Sequence, residues 1–133
     1  MKDSRGFTVI ELLVMIVIAM VGAYAFYNEK ITTDAVRRDS ARKVAINAMY
    51  FNLEEVYFEK NGHYPSSIDS KILRAMDPAL FYDPNKIKMG ESGSNYTYTG
   101  VGCTTSGACK GYKLSSAMER EADFTKTNRN KQE

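Results

Sequence analysis

The order of apolar and polar positions divides the chain into three regimes. From Phe7 to Tyr27 the residues are almost all apolar, and the single charge among them is Glu11. About 20 such residues match the ~30 Å hydrocarbon core of a bilayer, so the run predicts a membrane-spanning helix. A carboxylate there costs roughly 2.5–3.5 kcal/mol at a helix centre and less near an end, which makes Glu11 a candidate functional residue. From Asn28 to Lys43 the pattern turns polar, through Glu29, Lys30, Asp34, Arg37, Arg38, Asp39, Arg42 and Lys43. Asp34 has opposite charges three and four positions away, as on a solvated helix surface.

Between Val44 and Lys60 two apolar stripes run at helical spacing. Ile46, Met49, Tyr50, Leu53, Val56 and Tyr57 form the broader one, expected to bury against the rest of the molecule. Val44, Ala48, Phe51 and Phe58 lie opposite, which leaves them free for other subunits or sandwiched within the same domain. No Pro or Gly interrupts Asn28 to Lys60, so one helix is expected to run on to a stop at Gly62. In the apolar span itself, Gly22 is the helix-weakening residue, at about 1 kcal/mol relative to Ala. The span is therefore expected either to stay straight or to melt locally there.

After Gly62 the periodicity shortens. Ile68 to Met76 reads as a short helix with Ser66 or Ser67 as its N-cap, ended by Asp77-Pro78. Phe81 to Lys86 and Glu91 to Asn95 read as turns. Tyr96-Thr97-Tyr98-Thr99 and Gly111 to Met118 alternate as β-strands and are expected to pair as a hairpin. Glu119 to Glu133 carries four cations and four anions with few apolar anchors, and is expected to be mobile.

Composition narrows the function classes. Some 100 residues beyond the apolar run suffice for one small domain. The net charge is +2 and is spread out: residues 28–60 carry six Lys/Arg and six Asp/Glu, and residues 61–133 carry ten and eight. That distribution lacks the basic stripe of a nucleic-acid binder, so nucleic acid as a partner has no support. One histidine, His63, no nucleophile motif and no phosphate loop argue against an enzyme, and no cofactor is expected.

The leader, Met1 to Gly6, leaves three readings open. These are a signal anchor, a signal peptide cut near Ala19 to Ala25, and a leader cut in front of the apolar run. Lys30, Arg37, Arg38, Arg42 and Lys43 outnumber Lys2 and Arg5, so a positive-inside count points away from a cytoplasmic N-terminus.

Gly6-Phe7-Thr8-Val9-Ile10-Glu11-Leu12-Leu13-Val14 resembles the N-terminal signature of type IV pilins and the related pseudopilins. The resemblance implies cleavage between Gly6 and Phe7 by a prepilin peptidase, N-methylation of Phe7, and an assembly role for Glu11. In that family the glutamate pairs with the N-terminal amine of a neighbouring subunit, so that neither charge is left alone in an apolar filament core. Tyr64-Pro65, Asp83-Pro84, Tyr96-Thr97-Tyr98 and Tyr112-Lys113-Leu114 follow the order of motifs in major-pseudopilin and short-pilin heads. The chain departs from many type IV pilins in having no proline before Pro65.

The implied fold is α+β: a long N-terminal helix, transmembrane in its first half, packed against a small antiparallel β-sheet head. Its parts are a leader (1–6), a transmembrane and filament-core helix (7–27), an amphipathic second half (28–60), a β-rich head (61–118) and a polar tail (119–133). The implied protein is the subunit of a type IV pilus serving adhesion, twitching motility or DNA uptake; the alternative is the major pseudopilin of a type II secretion system. Its partners would be further copies of itself, the prepilin peptidase, and the assembly platform with its ATPase. It would sit in the inner membrane, N-terminus in the cytoplasm, before joining an extracellular fibre.

Cys103 and Cys109, six apart in a segment read as exported, are most simply a disulfide; a metal pair would lack a nearby His or third Cys. Some pseudopilin heads bind calcium, and Asp83, Asn85 and Glu91 are the weak candidates here, without the spacing of an EF-hand.

Overall fold

A computed structural model describes residues 7–129. The chain divides into two compact units, one ending at Ala35 and the other beginning at Val36. Helix α1, Val9–Phe51, begins in the first and continues into the second. In the first unit the helix passes through Gly22 without interruption, so it does not melt there. From Phe7 to Ile31 its large apolar side chains are exposed, from Phe7 at 80% to Ile16 at 45%. The described segment contains one helix long and apolar enough to cross a membrane, with a mean hydropathy of 2.5 over its most apolar window and none of that window buried.

In the second unit the helix does not keep one winding. After Phe51 it widens into a π-helical turn, Asn52–Phe58, and then closes with a short α-helical turn α2, Glu59–Asn61. Gly62 ends it as expected, in the left-handed region at φ 69°, where its N–H reaches Phe58 O at 2.7 Å. The wider winding advances each residue by less than 100°, which corrects the continuous α-helical stripe. Ile46, Met49 and Leu53 are fully buried, but Val56, beyond the change of winding, is 45% exposed. In its place Glu54 turns inward, beside Leu53.

The head is a four-stranded antiparallel sheet built around one strand. β3, Ala108–Ser116, pairs with β2, Tyr96–Cys103, in a register running from Tyr96 opposite Ser116 to Cys103 opposite Cys109. The short β1, Tyr64–Pro65, pairs with the start of β3. β4, Phe124–Thr127, pairs with the second half of β3, Phe124 opposite Ser116 and Thr127 opposite Lys113. The expected hairpin is therefore present, and each strand of it extends to its cysteine. The core lies between sheet and helix: Ala45, Ile46, Met49 and Leu53 meet Tyr64, Tyr96, Tyr112 and Leu114, with Leu73, Met76 and Phe81 supplied by the connecting segment. A long apolar N-terminal helix packed on a small antiparallel sheet is the general architecture of type IV pilins and pseudopilins.

Two local expectations are corrected. Ile68 to Met76 forms a series of turns, not a helix. Its cap is Asp69 and not Ser66 or Ser67: Asp69 Oδ1 accepts the N–H groups of Lys71 and Ile72, both at 2.8 Å. A short side-chain acceptor beside free N–H groups stabilises a turn as readily as a helix start. Asp77 likewise opens a 3-10 turn, Pro78–Phe81, by accepting Ala79 N–H at 2.9 Å. The second correction is the C-terminal segment. As far as Arg129 it is not a loose tail; β4 adds to the sheet, and residues on either side of it are bound to the helix, while residues 130–133 lie outside the described residues.

Candidate assembly surfaces

The first candidate surface is the beginning of α1. Thr8 is its N-cap, and Thr8 and Glu11 satisfy each other. Thr8 N–H donates to Glu11 Oε2 at 2.9 Å, Thr8 Oγ1 donates to the same oxygen at 3.0 Å, and Glu11 N–H donates to Thr8 Oγ1 at 3.2 Å. This is a capping box, in which two otherwise unpaired donors of the first turn are satisfied reciprocally. The sequence signal was Thr8-x-x-Glu11 before an apolar run, which the membrane reading of Glu11 passed over. The box holds the carboxylate at the helix N-terminus, where the aligned peptide dipoles favour negative charge. Of the implied processing site, Phe7 is described and exposed, whereas Gly6 lies outside the described residues.

The helix above that turn has no apolar face packed within its own unit. Burying a Val, Leu, Ile, Phe or Met side chain is worth about 1.5–3 kcal/mol. A surface made of so many of them in series needs lipid or protein around it. In the second unit Val44 and Phe51 continue to face outward, at 60% and 56% exposure, while Ala48 and Phe58 of the same predicted stripe pack against the core. Phe58 stacks on Tyr64, with ring centres 4.7 Å apart.

The head's own side of the helix carries two buried carboxylates, and both hold the C-terminal segment. Asp39, 1% exposed, accepts the N–H groups of Glu119 (2.9 Å) and Arg120 (2.9 Å). Arg42, equally buried, donates from one guanidinium nitrogen to Asp39 Oδ1 and to Glu119 Oε1, both at 2.8 Å. Arg38 grips Glu119 with two parallel bonds of 2.8 and 2.7 Å. Burial pushes the Asp39 carboxyl up, but the two N–H groups and Arg42 outweigh it and hold it below its ordinary value. Bonding to Arg38, opposed by desolvation and reinforced by Arg42, brings Glu119 from 4.5 down to about 2. Lys43 adds an ion pair with Glu121.

Glu54, the second carboxylate, sits on the π-helical turn at 6% exposure. It accepts the hydroxyls of Tyr112 at 2.9 Å and Tyr64 at 3.0 Å, and the N–H of Arg129 at 3.3 Å. Burial and then the neighbouring carboxylate push both phenols well above the ordinary tyrosine range. Arg129 also bonds Tyr50 Oη at 3.1 Å and pairs with Glu55. Sequence reasoning missed Asp39, Arg42 and Glu54 as a set. Each sits on the helix among solvated charges or apolar positions, and apart from the Asp39–Arg42 pair itself their partners lie 10 to 81 residues away.

The remaining sequence candidates have these places. Cys103 and Cys109 form a disulfide that closes the β2–β3 loop. Asp83 is 3% exposed; its carboxylate accepts the N–H groups of Asn85 (2.9 Å) and Ile87 (3.0 Å) and the Asn95 amide at 2.7 Å. It organises the turn before β2, while Glu91 accepts Lys88 N–H at 3.4 Å. Among the described residues no three His, Cys, Asp or Glu gather as a metal site. His63 Nδ1–H donates to Asn61 O at 2.8 Å, and the ring meets the edge of Tyr57.

Compared with protein-family models, curated proteins and solved structures, the chain matches none.

Proposed function

We propose that the chain is a structural subunit, a pilin, of a type IV pilus. In this reading prepilin peptidase cuts between Gly6 and Phe7, Phe7 is N-methylated, and the helix leaves the inner membrane for a helical fibre of identical subunits. The observation that carries it is a helix whose first 20 or so residues bury nothing of their own, joined at its start to the carboxylate of Glu11. Such a helix is stable in lipid and equally stable in a bundle of its own kind. Glu11 distinguishes the two environments, because only a neighbouring N-terminal amine offers it a full counter-charge. Val44 and Phe51 extend the intersubunit surface beyond the apolar span.

The chain has no catalytic role in this reading; an assembly platform and its ATPase extrude it, and the fibre serves adhesion, motility or DNA uptake. A second reading, the major pseudopilin of a type II secretion system, draws on the head, which is limited to one hairpin and two short flanking strands. Electron microscopy of shed surface fibres separates the two. Long fibres composed of this chain support the pilus. Their absence, together with loss of secretion on deletion, supports the pseudopilus.

A further inference from the structure

The outer edge of the sheet is built for a strand it does not have. β2 is eight residues long, about 27 Å at 3.3–3.4 Å per residue, and among the described residues it pairs on one side only, with β3. Its sequence, Tyr96-Thr97-Tyr98-Thr99-Gly100-Val101-Gly102-Cys103, carries no charge and no proline, and its register with β3 has no inserted residue. Edges are ordinarily blunted by Lys, Pro or a bulge in the strand itself. A cleft of about 340 Å³ runs beside it, lined by Tyr96, Thr97 and Tyr98 in succession, with Ile68, Met89 and Glu91 opposite. Successive side chains of a strand point to opposite faces. Three consecutive residues therefore line one cleft only where it meets the strand's backbone, which is the edge away from β3.

We propose that this edge is a β-strand addition site whose occupant is β2 of a second copy, paired antiparallel about a two-fold axis. The charges at its two ends argue for self-pairing. Glu91 lies at the Tyr96 end. At the other end the Lys110 stem crosses β2 at Gly102: a Cβ placed on Gly102 would lie 3.4–3.5 Å from Lys110 Cβ, Cγ and Cδ. Gly102 has φ +61°, and its missing side chain leaves room for the stem. In the register that puts Thr99 of both copies on the two-fold, Tyr96 of one copy faces Gly102 of the other and Thr97 faces Val101, so Glu91 meets Lys110 of the second copy. The two-fold repeats that pairing at the far end. Thr, Tyr, Val and Gly oppose one another in between, with no like charges to separate them. The inference does not depend on the filament reading, since it concerns heads and not helices.

Full-length chain placed singly in separate lipid nanodiscs tests it, because the discs keep the helices apart and leave the heads free. Wild-type discs are expected to pair as concentration rises into the tens of micromolar, order of magnitude, with slowed hydrogen exchange in Tyr96 to Cys103. Glu91→Lys and Lys110→Glu should each weaken pairing by about three- to tenfold, and together restore it. Thr99→Lys, at an exposed position on the two-fold where it would set two like charges opposite each other, should abolish it without unfolding the head. Discs that stay single, or pairing indifferent to all of these changes, would overturn the proposal. So would β2 protection that appears only when a foreign extended peptide is added, which would give the edge to another protein's strand.

Discussion

Asp39 accepts the backbone N–H of Glu119, 80 residues later in the chain, at 2.9 Å. The bond is fully buried on the helix side and joins the most polar stretch of the helix to the segment just before β4. The charges of residues 28–43 read in sequence as a solvated surface, yet Arg38, Asp39, Arg42 and Lys43 from that stretch are anchors for the C-terminus.

Asp39→Ala therefore removes the acceptor for two N–H groups and takes from buried Arg42 the one carboxylate that is buried with it. Breaking a buried pair in this way costs about 3–5 kcal/mol. Chemical unfolding of the head should show that loss. Hydrogen exchange should also show the amides of Phe124–Thr127 becoming unprotected before those of β2.

The same anchor gives the head a dependence on acid. Glu119 and Asp39 both have folded-state pKa values below their ordinary ones, so their contribution is present in full above about pH 5 and is lost as pH falls. For Glu119 the window runs from 4.5 down to about 2. Protection of the β4 amides should decline over that range, and Glu119→Gln should show part of that decline already at pH 7. A β4 equally protected at pH 7 and pH 2.5 would contradict the assignment.

Glu54 binds two phenols at once, so its partners are not independent. Tyr112→Phe or Tyr64→Phe alone should destabilise the head by about 1–3 kcal/mol through an under-bonded buried carboxylate. Removing Glu54 as well, by Glu54→Leu in the Tyr112→Phe background, should cost less than the sum of the separate changes. Equilibrium unfolding of the three variants measures that coupling.

Reducing the Cys103–Cys109 bond, or replacing both cysteines by Ser, opens a seven-residue loop and should lower stability by about 2 kcal/mol. Intact mass with and without reductant establishes the bond, and denaturant titration gives the cost. The strands should survive, because Tyr112 and Leu114 anchor β3 independently of the loop.

Much of this fold was legible because its signals are local. An unbroken apolar run, a glycine at the helix end, and two alternating strands with Tyr and Thr each announce their own element. What escaped has long-range causes. The turns around Asp69 compete with a helix by a single side-chain acceptor, and periodicity does not register that. The π-helical winding at Asn52 accompanies the burial of Glu54 against Tyr64 and Tyr112, which sequence shows only as a charge within an apolar stripe. β4 reads as a polar tail, since Phe124-Thr125-Lys126-Thr127 gains its place from the edge of β3 and from anchors on the helix. Of the assembly surface, Glu11 stood out as an isolated charge, while its tie to Thr8 needed only the three-residue spacing to be recognised.

That tie carries its own expectation. Thr8→Ala removes the cap and should weaken the first turn by about 1 kcal/mol, visible as faster exchange of the amides from Val9 to Leu12 in micelles. Thr8→Ser should restore the slower rate.

The role proposed for Glu11, pairing with the amine of a neighbouring subunit as the helix leaves the membrane for the fibre, is tested most directly by Glu11→Val. Membrane and surface-fibre fractions are separated from cells making the variant beside the wild-type chain, and the N-terminus in each is read by mass spectrometry. The variant is expected to begin at Phe7, to be retained in the membrane fraction, and to be missing from fibres. Wild-type fibre yield from Glu11→Val, or a chain that is never cut after Gly6, would contradict that role.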